Sequence, residues 1–122
     1  MAEFSYKMTG FSYSANADRD VTTSSHWEGS ATGYGAVFGT LSVTTPLADA
    51  GATSGSCTWV AGAALEDGTS AAAILEGTWQ KLEGQHKWTL KLAGKDSNGV
   101  QLSGQGEIDL AARTFTGTFE AV

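Results

Sequence analysis

A single cysteine, Cys57, excludes an internal disulfide and points to a reducing cytoplasm as the expected home. The opening stretch MAEFSYKMTG lacks both the basic and the apolar segments of a secretory leader, which leads to the same compartment. Long apolar runs are also missing: the 41% of hydrophobic residues is dispersed, so no membrane span is expected. Basic residues are scarce. Seven Lys and Arg against thirteen Asp and Glu give a net charge of −6, a field that repels phosphate backbones and anionic headgroups, so nucleic acid and membrane are not expected partners.

Catalytic signatures are equally sparse. The chain has no HExxH, no Cys-x-x-Cys and no cluster of histidines, so no metal is expected. No G-x-S-x-G nucleophile elbow occurs, and GYGAVFG (residues 33–39) precedes a strand pattern, not the helix that a dinucleotide loop requires. The expectation is no cofactor, leaving acid/base chemistry by side chains or simple containment.

What the chain does have is alternation. Its 122 residues suffice for one domain with its own core, and sixteen glycines against one proline separate short runs rich in Thr, Val, Trp and Phe. Helical periodicity is absent; the alanine-rich AGAALEDGTSAAAILEG is interrupted by Asp67-Gly68 and reads as a hairpin. Eight strands are predicted, at 3–12, 20–31, 35–44, 55–65, 69–80, 85–93, 100–110 and 114–121. Short connections favour an all-β, antiparallel up-and-down barrel, whose closure removes both sheet edges. The longer connection TTPLADAGATSG (44–55) is either a lid or a plain surface loop.

Turn chemistry predicts register. A three-residue loop Glu66-Asp67-Gly68, with Gly68 left-handed, pairs Leu65 with Thr69 and sets Trp59 opposite Leu75, Ala61 opposite Ala73 and Cys57 opposite Gly77. A four-residue loop pairing Gln80 with Gln85 sets Trp79 beside His86 and Gly77 beside Trp88. Both hairpins put Cys57, Trp59, Leu75, Gly77, Trp79, His86, Trp88 and Leu90 on one face. In VQLSGQGEIDL the residues Gln101, Ser103, Gln105, Glu107 and Asp109 form the solvent side.

The expected interior therefore holds Trp59, Trp79 and Trp88, joined by Trp27, Tyr6 and Phe119, among the small residues Ala61, Ala73, Gly77, Gly104, Gly106 and Gly117. Two outcomes are open: a filled lumen with glycines at the corners of coiled strands, or a cavity with aromatic walls suited to an apolar or aromatic small molecule. For the second, Trp27, Trp59, Trp79, Trp88, Leu75, Leu90 and Phe119 are the candidate ligand-binding residues. His86, near one mouth, is the candidate general acid/base, against a purely structural histidine, and Tyr6 the candidate hydrogen-bond donor. His26 and Glu28 share a face that lies outside if Trp27 points in; Cys57 is an inward, inert thiol, and Glu76 faces out. On the outside Phe38, Val60 and Ile74 line up over the third to fifth strands with Ala64 and Ala72 near them, which predicts a homo-oligomer, most simply a symmetric dimer. A filled barrel acting through this outer surface is the rival function.

The recurrent Gly-Thr-aromatic endings, EGTWQ and TGTFEAV, with the glycine-rich LSGQGEIDL and the eight meandering strands, make the chain similar to the calycin-like small barrels, within them most to the allene-oxide-cyclase-like group. The resemblance is one of pattern over most of the length. It implies an apolar molecule inside the barrel and cofactor-free isomerase, cyclase or lyase chemistry directed by shape, and carries no catalytic residue onto a position here.

Overall fold

The computed structural model describes residues 2–122. Alternation becomes eight strands: β1 Ala2–Ala15, β2 Asp20–Ala31, β3 Gly35–Pro46, β4 Ser54–Ala64, β5 Ser70–Lys81, β6 Lys87–Asp96, β7 Gln101–Asp109 and β8 Thr114–Ala121. Each pairs antiparallel with its sequence neighbour, and β8 returns to β1, so the sheet closes into an eight-stranded up-and-down barrel. Among the described residues the one helical segment is a single 3-10 turn, Leu47–Asp49, in the connection after β3, and no helix is long and apolar enough to cross a membrane.

The alanine-rich segment is the predicted β4–β5 hairpin. Trp59 pairs with Leu75, Ala61 with Ala73 and Cys57 with Gly77. Its turn closes through Leu65 N–H to Thr69 O at 3.0 Å, Gly68 takes φ 88°, and the Asp67 carboxylate accepts from the N–H and hydroxyl of Thr69 at 2.9 and 2.6 Å. Turn chemistry outweighs the helix propensity of alanine because strand pairing places Ala61, Ala63, Ala71 and Ala73 on the lumen side, where bulk is unwelcome.

The β5–β6 register differs from expectation. Trp79 pairs with Leu90, not His86, and Gly77 with Leu92, not Trp88, while Trp88 faces Lys81. The four-residue loop is Glu83-Gly84-Gln85-His86, closed by Leu82 N–H to Lys87 O at 2.9 Å. Sliding the turn lets Gly84, at φ 69°, occupy the third position of the Leu82–Gln85 turn, where a positive φ favours glycine. The slide is four residues, an even number, so the inward face is preserved although the partners change.

In β1 the register shifts between Met8 and Gly10, a bulge. Before it the inward residues are Phe4, Tyr6 and Met8; after it Phe11 and Tyr13 pair with inward Ser25 and Thr23 and take the lumen side instead.

Candidate functional site

Glycines opposite aromatics are seats, not voids. The Trp59 ring lies where a side chain at Gly39 would be, and Phe4 covers both Gly106 and Gly117, where a Cβ would approach its ring to 2.7 and 2.8 Å. The middle of the barrel is consequently filled. Tyr6 and Trp59 stack at 5.3 Å, and Phe115, 1% exposed, sets its edge against Tyr6, Trp59, Trp27 and Phe4 at 5.0–5.8 Å. The Trp27 indole N–H donates to Ser25 Oγ at 2.8 Å, and that hydroxyl donates to the Leu41 carbonyl at 3.4 Å. Phe115, not among the residues expected inside, shares the parity of Phe119, and that alternation is the signal that marks it; its central role comes from strand closure, which brings β8 against β1.

This aromatic waist divides the lumen into two hollows. The hollow at the Tyr34 end measures about 70 Å³ and is lined by Phe4, Tyr6, Val37, Trp59, Leu75, Leu92, Phe119 and the hairpin alanines. Tyr34, in the β2–β3 turn, reaches over it: its hydroxyl donates to Asp96 Oδ2 at 2.6 Å, and its ring lies 6.1 Å from that of Phe119. Asp96, at the end of β6, also accepts from the N–H groups of Asn98 and Val100 at 2.9 Å each. The Tyr34 bond, more than the two backbone bonds, holds this carboxyl below the usual range, while burial first, then the bond donated to Asp96 and the charge of that carboxylate, push the Tyr34 phenol up to about 12.

The hollow at the opposite, His86 end measures about 430 Å³ and opens to solvent. Its walls are Met8, Phe11, Tyr13, Trp27, Leu41, Val43, Trp79, Trp88, Leu90, Ile108 and Leu110, with Thr23, Ser25, Thr45, Lys81 and His86 as polar groups and Ala50–Ala52 of the β3–β4 connection at the rim. Phe11 and Tyr13 stack at 6.2 Å. The volume falls in the range of small-molecule sites, whereas 70 Å³ does not.

The predicted site residues thus separate. Tyr6, Trp59, Leu75 and Phe119 border the small hollow; Trp27, Trp79, Trp88, Leu90 and His86 border the large one. His86 sits in the exposed β5–β6 turn with its ring 6.3 Å from Trp88, on the far side of the waist from Tyr6. The two candidate catalytic groups therefore share no cavity. Burial lifts the Tyr6 phenol far above its ordinary value and the Cys57 thiol up to about 11. The Trp79 indole N–H, buried over Gly55, has no acceptor. His26 stands on the outer face as expected, between Ser12 Oγ (3.2 Å from Nε2) and Thr40 Oγ1 (3.0 Å from Nδ1), and Glu28 and Glu76 are exposed. Among the described residues no three His, Cys, Asp or Glu side chains gather as metal ligands.

On the outer wall Val60 pairs with Ile74, and Phe38 pairs with Gly62 one step along β4; the three are 50%, 57% and 55% exposed.

Comparison of the chain with known protein families, curated proteins and solved structures finds no match. Of the expected resemblance the structure shows the barrel architecture alone: eight antiparallel strands in up-and-down order, closed.

Proposed function

We propose that this barrel binds an apolar or aromatic small molecule in the hollow at its His86 end. The observation that carries the proposal is the 430 Å³ opening with a nearly continuous wall of Met, Phe, Tyr, Trp, Leu and Val side chains, on a scaffold whose waist is already packed. The waist moves the binding place from the barrel centre to one mouth. In the catalytic form of the proposal, a cofactor-free isomerase, cyclase or lyase, His86 is the acid/base and acts without Tyr6. The lone, buried Cys57 suits a reducing cytoplasm.

Tryptophan emission tests the proposal directly, because Trp27, Trp79 and Trp88 border the hollow. Titration with a panel of naphthalene and indole derivatives gives saturable quenching or a spectral shift if the hollow binds. Unchanged emission across the panel at millimolar concentration refutes it. Once a reacting ligand is found, turnover lost in His86→Gln with binding kept identifies the acid/base.

A second proposal rests on the outer Phe38, Val60 and Ile74 patch, an exposed apolar surface that crosses three strands. It is the contact of a symmetric dimer. Sedimentation at micromolar concentration gives a dimer for the wild type and a monomer for Ile74→Lys; a monomeric wild type refutes it.

A further inference from the structure

The lumen side of β5 reads Leu75, Gly77, Trp79 and then Lys81. A lysine in that row is out of keeping with the rest of the wall, and strand geometry does not let it turn to the outer face without breaking the alternation. Its backbone N–H is tied to the Thr53 carbonyl at 2.7 Å, its neighbour across the ladder is Trp88, and both side chains line the hollow, that of Lys81 half-buried. The one ion pair among the described residues joins Lys87 to Asp109 at 3.9 Å, so no carboxylate lies within 4.0 Å of the Lys81 ammonium.

The lining as a whole has the same bias. Thirteen acidic residues outnumber seven basic ones in the chain, yet no Asp or Glu borders this hollow, while Lys81 and His86 do. An ammonium at the mouth of an apolar hollow with no counter-charge beside it leaves a place for an anionic group on a ligand, which would engage it through a charge-assisted hydrogen bond. The overall field of the protein, being negative, does nothing to attract such a ligand; the preference has to be local.

Resting on the proposal that this hollow binds aromatic molecules, we infer that its ligand is an aromatic acid, with the ring system among Trp79, Trp88 and Phe11 and the carboxylate on Lys81 Nζ. The chemistry selected is a flat apolar body with one anion at its outer end, because the cation stands at the end of β5, two residues beyond the buried Trp79.

The test uses 2-naphthylacetate and 2-naphthylacetamide, which share shape and differ in charge, with binding to the full chain followed by tryptophan emission and calorimetry. The acid is expected to bind about tenfold tighter or more, the range for a hydrogen bond to a charged group. Lys81→Met should bring the acid down to the affinity of the amide and leave the amide unchanged. Lys81→Gln serves in its place if the methionine variant misfolds. Lys95→Met, which removes the same charge from an exposed position on β6, should leave the preference intact. Equal affinity of the two probes in the wild type means that Lys81 merely extends into water, and overturns the inference while the binding proposal survives. A preference for the acid that persists without the Lys81 charge overturns the assignment to Lys81. If neither probe binds, both the inference and the proposal beneath it fall.

Discussion

Replacing Tyr34 by phenylalanine removes one hydrogen bond and keeps the ring beside Phe119. The lost bond is a 2.6 Å O–H to a carboxylate that accepts two further backbone N–H groups. Hydrogen bonds to charged groups contribute about 1.5–3 kcal/mol, and the partial exposure of Tyr34 argues for the lower end, so Tyr34→Phe is expected to cost about 1.5 kcal/mol. Asp96→Asn weakens all three bonds and costs more, about 2–3 kcal/mol. In the double variant the costs do not add; the coupling is about 1 kcal/mol, measured by urea unfolding followed through tryptophan emission with the denaturant slope unchanged.

The pH limits follow from the same pair. Tyr34 holds its proton more tightly when folded, so its contribution is complete below pH 10 and fades as pH rises toward about 12. The Asp96 carboxyl, held below its ordinary 3.8, contributes fully above pH 4 and loses that contribution as pH falls through its folded value. Neutral pH is therefore a plateau. Ultraviolet titration of Asp96→Asn should show Tyr34 ionising nearer 10. Coupling below about 0.3 kcal/mol at pH 7, with an unmoved Tyr34 titration, would refute the strap across this end of the barrel.

Two other consequences are open to measurement. A Cβ at Gly77 would overlap the backbone carbonyl of Lys91, which has no rotamer by which to yield, so Gly77→Ala should cost at least about 3 kcal/mol, whereas Gly10→Ala, with nothing within 4 Å, should change stability by less than about 0.5 kcal/mol. Similar losses for the two would show that backbone approach is not what selects glycine at Gly77. The Cys57 thiol, raised from 9.0 to about 11 by burial, keeps its proton through neutral pH, and at pH 8 the folded protein should react with Ellman's reagent at least about 100-fold more slowly than the unfolded chain. Fast labelling of the folded protein would place that sulfur at the surface.

Alternation and turn residues were enough to read the eight strands and the β4–β5 register, because each is a local property of neighbouring residues; closure, which joins β1 to β8, was inferred from the number of strands and their short connections. The β5–β6 register was not, since two four-residue loops of equal parity are available around Gly84, and they differ in whether Gly84 falls at the turn position that needs a positive φ. The parity of Phe11 and Tyr13 depends on a bulge whose one sequence signal in YKMTGFSY is Gly10, an isolated glycine inside a strand pattern. Tyr34 and Asp96 lie 62 positions apart, one in the β2–β3 turn, where side chains follow no strand period, and the other at the last residue of β6, so their bond left no periodic trace. Of the site, the aromatics and the mouth position of His86 were legible. The division of the lumen was not, for it arises from Phe115, Tyr6 and Trp59 meeting across a closed ring. Lys81 carried a usable signal, its place two residues after Trp79, which the expected end of that strand at residue 80 concealed.

The bulge in β1 has a second effect, on exchange between molecules. Among the described residues β8 pairs with β1 only from Ala2 to Lys7, and the last link on that side is Met8 N–H to Arg113 O at 3.0 Å. As β3 does from Val43 to Pro46, β1 beyond that link runs on to Ala15 with β2 as its one ladder partner among the described residues, a short free border. The irregularity falls just where the border begins, and a kinked strand makes a poor template for a second chain. One inserted residue thus turns Phe11 and Tyr13 toward the hollow and discourages the barrel from growing by strand addition.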